Sequence, residues 1–503
     1  MAPCIRCPVR ELCNRMQYIA TVHTGSAKNR LESAAASCRA PYFDWAALPP
    51  SSRDSMLPAS IGDSPKINVS GPHGTQTIAN PLFAYAFKPP NREVFQDVTP
   101  WADWTATRRA PTSLHPDAVS NNSAINANLV LYNVQNQQRL YNLFTSYDNY
   151  TIFSNEGWAA DTTRYDSLEN LHDNLHALLG GSQGHMTIVP FSAFDPLFFL
   201  HHCNVDRIFA LWQVFHPDAW VVPEVARVNS YTTSVGQLLD STSALTPFYA
   251  NYDGDFWTSD MLRDTEALGY TYGELASSGI SLSNMTSILN GKAQVASIVN
   301  HLYGGYSVNS IRIQSKRSER GRSHIQRGQA QEGWYMGRGR RSTASLPVTK
   351  IISEQGKYRE WIANIRVTRQ ALDGPFSVDL ALGGPDKQPL YVGSMSVFAS
   401  PPAIASMKKL APGAEFITGT VPLTAALVDE VADGTVASME PGDVELYLRE
   451  YLTTRVVRAD GTEADPAGVA GLSIDVVSWP VQATSSEAQL PTWGEADYKV
   501  VIM

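Results

Sequence analysis

Apolar positions recur at helical spacing early in the second third of the chain. Leu168, Leu171, Leu175 and Leu178 form one stripe, which predicts a helix capped by Asp166, with Glu169 three residues on, and closed by Gly180-Gly181. His172 and His176 then lie one turn apart on one face, with Glu169 beside them. A second helix is predicted where Asp195 caps and Pro196 takes the first position, suited to its fixed φ and missing N–H. That helix sets Phe198, His202, Asp206 and Phe209 on one face.

The pattern changes to strict alternation from about Lys350. YREWIANIRVTRQAL, FSVDLAL, LYVGSMSVFA, VELYLREYLTTRVV and LSIDVVSW, separated by Asp-Gly, Gly-Gly and Pro-rich turns, predict a β-sandwich of about seven or eight strands. Between the two patterns, Ser307 to Thr349 is basic and rich in Gly and Ser, and reads as a solvated linker with Arg340-Arg341 as a protease-sensitive pair. Residues 47–164 are loop-rich, with turn clusters such as LPPSSRD and GDSPK. The fold class is therefore multidomain α + β: an unmatched leader over 1–13, a helical-bundle domain over 14–306, a linker over 307–349 and a covering β-sandwich over 350–503.

Composition narrows this modestly. The 503 residues carry a net charge of -9, which argues against a nucleic-acid partner, and no apolar run is long enough to span a membrane. The opening MAPCIRCPVRELC has no long apolar segment before a cleavage site, so the expected location is cytoplasmic or otherwise intracellular. The five cysteines form neither a disulfide framework nor a zinc ribbon and read as free thiols. Asn68, Asn121, Asn149 and Asn284 stand in glycosylation sequons, read as chance matches.

The chemistry sits between His172 and His202, a span that holds five of the eleven histidines. Two imidazoles at i, i+4 and a third from a facing helix make a three-nitrogen metal site with open coordination, suited to copper, zinc or iron. Bland roles exist for each neighbour: Glu169 as a capping partner, Asp173 as a solvated helix residue, Phe198 as core and Asp206 as a salt-bridge partner.

HDNLH, then GHM, then FDPLFFLHHCNVDR resembles the copper B half of the type-3 dicopper family, specifically fungal tyrosinases. The resemblance implies copper at His172, His176 and His202, with His201 in the outer shell. It also implies that Glu169 holds a water and accepts a phenol proton, that Asp173 influences monophenol activity, and that Phe198 is an aromatic gate. NPLFAYAF, IFSNEGW, LRDTEALGYTYGEL and Tyr303-Gly304 resemble further family segments, and YREWIANIRV and LPTWGE resemble the family's C-terminal domain, which covers the active site in a latent zymogen, often by inserting an aromatic.

One departure stands out. RAPYFDWA, Arg39 to Ala46, resembles the segment that follows the copper A ligands, yet only His23 lies upstream of it. The other isolated histidines, His73, His115, His216, His301 and His324, offer no second H-x-x-x-H pair. The resemblance thus implies two coppers in the family and supports only the copper B ion here, and the expectation is that the chain begins inside the domain.

The expected function is oxidation of mono- and o-diphenols to o-quinones with dioxygen, in melanin-precursor chemistry, with phenol and dioxygen as partners and an undetermined oligomeric state. A carboxylate at Asp173 adds negative charge beside a phenolate and points away from strong hydroxylation. The alternatives are an inactive homologue lacking the copper A ligands, an oxygen carrier of the hemocyanin type, and a zinc hydrolase using the same histidines with Glu169 as base.

Overall fold

The structure is a computed structural model that describes residues 2–49, 51, 54–71, 74–88, 92–93, 95, 98–157, 163–227, 229–230, 232–251, 253–310, 347–384, 387–399 and 416–503. Most of the basic linker, with Arg340-Arg341 and His324, lies outside these residues, as do His73 and SPPAIASMKK.

The first half is helical: α1 (Ala2–Thr21), α2 (Ser26–Ala36), α3 (Asn122–Ser146), α4 (Tyr150–Ser154), α5 (Leu168–Gly180), α6 (Leu197–Phe215) and α7 (Met285–Tyr303). One apolar core joins α3 through Ile125, Leu129 and Phe144, α5 through Leu171 and Leu175, α6 through Ile208 and Trp212, and α7 through Val295 and Val299. Helix α1 runs unbroken through residue 13. Cys13 is joined to Cys38 in a disulfide, which corrects the free-thiol expectation for that residue. No short cysteine spacing marks this pair, whose members lie 25 residues apart.

One of the two capping expectations needs adjusting. The cap of α5 is Ser167, whose Oγ accepts from Asn170 N at 3.0 Å. Asp166 is instead claimed by the buried Arg139, which donates from Nε at 2.8 Å and from Nη2 at 2.6 Å. Asp195 does accept from Leu197 N at 2.9 Å at the start of α6, and it also holds the buried Arg109 at 2.6 Å. Three of the four sequons have a local explanation: Asn121, Asn149 and Asn284 cap α3, α4 and α7 through their side chains.

RAPYFDWA and Tyr303-Gly304 meet at a buried guanidinium. Arg207 Nη1 donates to Asp44 at 3.0 Å and to Tyr303 Oη at 2.9 Å, its Nη2 donates to Glu274 at 2.5 Å, and Tyr303 Oη donates to Asp44 at 2.6 Å. This cluster ties the segment before α3 to α6 and the end of α7.

The second half is the expected β-sandwich. Its elements are β1 (Lys357–Thr368), β2 (Phe376–Gly384), β3 (Lys387–Val397), β4 (Phe416–Pro422), α8 (Thr424–Ala432), α9 (Pro441–Tyr451), β5 (Leu452–Arg458), β6 (Glu463–Ala464), β7 (Ser473–Gln482), β8 (Thr492–Trp493) and β9 (Tyr498–Val501). One sheet runs β6-β5-β2-β3 and the other β8-β7-β1-β4, with β9 also on β7, all antiparallel. VELYLREYLTTRVV, read as strand throughout, is a helix as far as Tyr451 and a strand after it. Val444, Tyr447 and Leu448 are its buried positions, a helical spacing that the β-branched tail obscured.

The two apolar cores remain separate clusters, and polar groups join the halves. Gln135 of α3 bonds both the carbonyl and the N–H of Ser394, Ser396 Oγ donates to Asn174 at 2.8 Å, Thr420 Oγ1 donates to Asp166 at 2.7 Å, and Arg369 pairs with Glu156 at 2.7 Å. Gly419 makes the approach possible, since a Cβ there would stand 2.3 Å from Asn170 Oδ1.

Candidate metal centre

Helices α5 and α6 present three imidazoles to one point. Nε2 of His172 lies 3.0 Å from Nε2 of His176 and 3.1 Å from Nε2 of His202, and the last two are 3.2 Å apart. The three nitrogens thus form a nearly equilateral triangle, and one ion at the usual metal–nitrogen distance of about 2.0–2.1 Å reaches all three.

The rings are held for this. His176 Nδ1 donates to Met186 O at 3.0 Å, which leaves its Nε2 lone pair facing the centre. His172 Nδ1 meets Asp173 Oδ1 at 2.8 Å, which fixes the ring's orientation. Burial pushes His176 and His202 well below the ordinary imidazole range and His172 down to about 4, so all three are neutral donors at neutral pH. Burial, then the Glu169 charge, pushes the Asp173 carboxyl well above its usual range.

Each residue singled out from the sequence is found near this triangle. Phe198 stacks on His202 with ring centroids 4.0 Å apart. Asp173 stands behind His172. The Glu169 carboxylate accepts from Glu156 N at 3.0 Å, so it does not serve as a capping partner, and it lines a cavity together with His202. Asp206 accepts from the hydroxyls of Tyr270 and Tyr272, each at 2.6 Å. His201 stacks on His172 at 5.1 Å, and neither of its buried ring nitrogens has a hydrogen-bond partner. It completes a four-histidine group whose ligand atoms lie within 4.8 Å of one another, and no second such grouping occurs among the described residues.

Sequence reasoning missed Phe398, Glu156 and Arg369. Phe398, just past β3, stacks on His176 at 4.6 Å with an interplanar angle of 17°. Glu156 is buried under Arg369, and burial lifts its carboxyl to about 8 against the pull of that guanidinium. Neither arrangement carries a local signal, since each joins residues some two hundred positions apart.

His185, the fifth histidine of the span, is structural. Its Nδ1 accepts from Arg108 N at 3.0 Å, and Phe87 and Trp104 pack on its ring. Burial lowers it from 6.5 to about 4. Between those values the unfolded chain takes up a proton that the folded one refuses, so stability is lost as pH falls through that window, by about 1.4 kcal/mol per pH unit for one group. Metal-free His185→Asn, which keeps an acceptor, is expected to show a shallower loss between pH 6.5 and 4 than the parent in denaturant titrations.

An imidazole triangle in a helical core, covered by a β-sandwich, defines a three-histidine metal-binding protein. Residues 18–214 match the common central domain of tyrosinase, and residues 360–476 match the tyrosinase C-terminal domain. The tyrosinase of Neurospora crassa is 28% identical over 93% of this chain and 77% of its own length, and polyphenol oxidase 4 of Agaricus bisporus is 36% identical over 50% of this chain and 39% of its own. Recombinant mushroom tyrosinase superposes with a TM-score of 0.74 at 25% identity, covering 97% of this chain and 80% of that one. The chain belongs to the fungal tyrosinase family, which uses copper, and by that membership it is a copper-dependent oxidoreductase.

Proposed function

We propose that this chain oxidises phenols and o-diphenols to o-quinones with dioxygen, as a latent form whose β-sandwich covers the metal centre. The observation that carries the reading is the triangle of Nε2 atoms from His172, His176 and His202 in a chain of this family. Copper held there supplies electron transfer between the phenol and dioxygen.

The chain's own groups do the rest. Met186 O and Asp173 keep the imidazoles oriented. Phe198, stacked on His202, holds the plane of that imidazole beside the centre. Glu169, in the cavity that reaches His202, accepts the phenol proton. Oxidising one o-diphenol releases two electrons and two protons, so one dioxygen is reduced to water for every two o-diphenols.

Phe398 supports the latency. It occupies the face of His176 where a substrate ring would approach, and the covering domain supplies it. Such a stack is worth about 0.5–1.5 kcal/mol, so Phe398→Ala is expected to raise o-diphenol oxidation by the copper-loaded chain up to about tenfold. Quinone absorbance and dioxygen uptake measure this. A copper-loaded Phe398→Ala protein that consumes no dioxygen with an o-diphenol overturns the assignment.

A further inference from the structure

A cavity of about 520 Å³ opens on the α6 side of the metal centre, within the about 300–1,000 Å³ range of small-molecule sites. Its lining includes His202 and Glu169, while Tyr150, Phe209 and Phe248 give it aromatic walls. Phe398 is not among the lining residues, so the covering domain does not fill it.

The outer wall is acidic. Glu224 pairs with Leu239 in a two-stranded ribbon, and Glu224 and Asp240 are both among the residues that line the cavity. Asp206 lines it as well, bonded to its two tyrosine hydroxyls. No lysine or arginine is among the described lining residues. Arg369, the guanidinium that interacts with Glu169, is held by Glu156. Asp240 is fixed in direction: its Oδ1 accepts from Thr242 N at 2.9 Å, Thr242 Oγ1 at 2.8 Å and Ser243 Oγ at 3.1 Å. Those bonds hold its carboxyl below the usual value, so it is ionised at neutral pH.

We propose that this cavity selects phenols bearing an alkylammonium side chain over phenols bearing a carboxylate. The aromatic walls take the ring, His202 and Glu169 face the hydroxyl end, and Glu224 and Asp240 meet the cation. The proposal rests on the reading of a phenol as substrate and does not require that oxidation occur.

The test is calorimetric titration of the full chain, both metal-free and copper-loaded, with 4-hydroxyphenethylamine, 4-ethylphenol and 3-(4-hydroxyphenyl)propionate at low and high salt. The amine is expected to bind about tenfold tighter than the propionate at low salt, with the gap narrowing as salt screens the wall. The double variant Asp240→Asn, Glu224→Gln should bring the two charged probes to within about twofold while the neutral phenol's Kd stays unchanged, which also reports an intact cavity. Equal affinities for the charged probes, binding of none of the three, or a preference that survives in the double variant overturns the proposal. Selective binding without dioxygen uptake leaves it standing and removes the oxidation reading, whereas oxidation without charge preference does the reverse.

Discussion

His172→Ala is expected to remove copper from the centre. Its Nε2 is one corner of a triangle with sides of 3.0 and 3.1 Å to the other two, and alanine leaves two donors facing an open third position. Changes in groups that merely orient a ligand lower metal affinity about 10- to 100-fold, so loss of the ligand itself should exceed that range. Metal analysis after dialysis against a weak chelator should find copper in the parent chain and background in the variant, with unchanged far-ultraviolet circular dichroism. Copper retained at the parent's stoichiometry would remove His172 from the ligand set. His201→Ala is the informative companion, because His201 stands beside the triangle with both ring nitrogens unpartnered. Retained copper there confines the site to the three convergent nitrogens.

The second large effect lies away from the metal. Arg207→Leu leaves Asp44 and Glu274 facing each other across a buried space with their shared cation gone, and deprives the Tyr303 hydroxyl of a donor. Breaking a buried pair by removing one partner costs about 3–5 kcal/mol, and here one guanidinium serves two carboxylates. Chemical denaturation should show a loss of that size, and a loss under about 1 kcal/mol would contradict the arrangement. Arg207→Lys restores the charge without the planar fork, so it is expected to recover only part of the stability.

The metal centre was legible because its signal is local. The leucine stripe through Leu168, Leu171 and Leu175 puts a helix under His172 and His176, and Pro196 starts the one that carries His202. What was misread depends on distant partners. Asp166 looks like a cap until Arg139, on another helix, claims it, and Ser167 then takes the capping role. The strands of the β-sandwich follow from alternation, though their pairing does not, and Pro441–Tyr451 escaped because its apolar residues run into a β-branched strand. Phe398 could not be found at all. Its meaning comes from stacking on a histidine of the other half, and nothing near it in the sequence marks it.

The seam between the halves is mostly amides, hydroxyls and ion pairs, with Gln135, Asn174, Asp166 and Glu156 on the helical side, and two ring contacts, Phe398 on His176 and Tyr391 on Tyr132, cross it as well. The polar groups accept water as readily as each other, so parting the halves would bare a surface that is mostly wettable, with the ring contacts as its apolar spots. If the cover is removed, the helical part is expected to stay dissolved at concentrations where a wholly apolar seam would drive it out of solution.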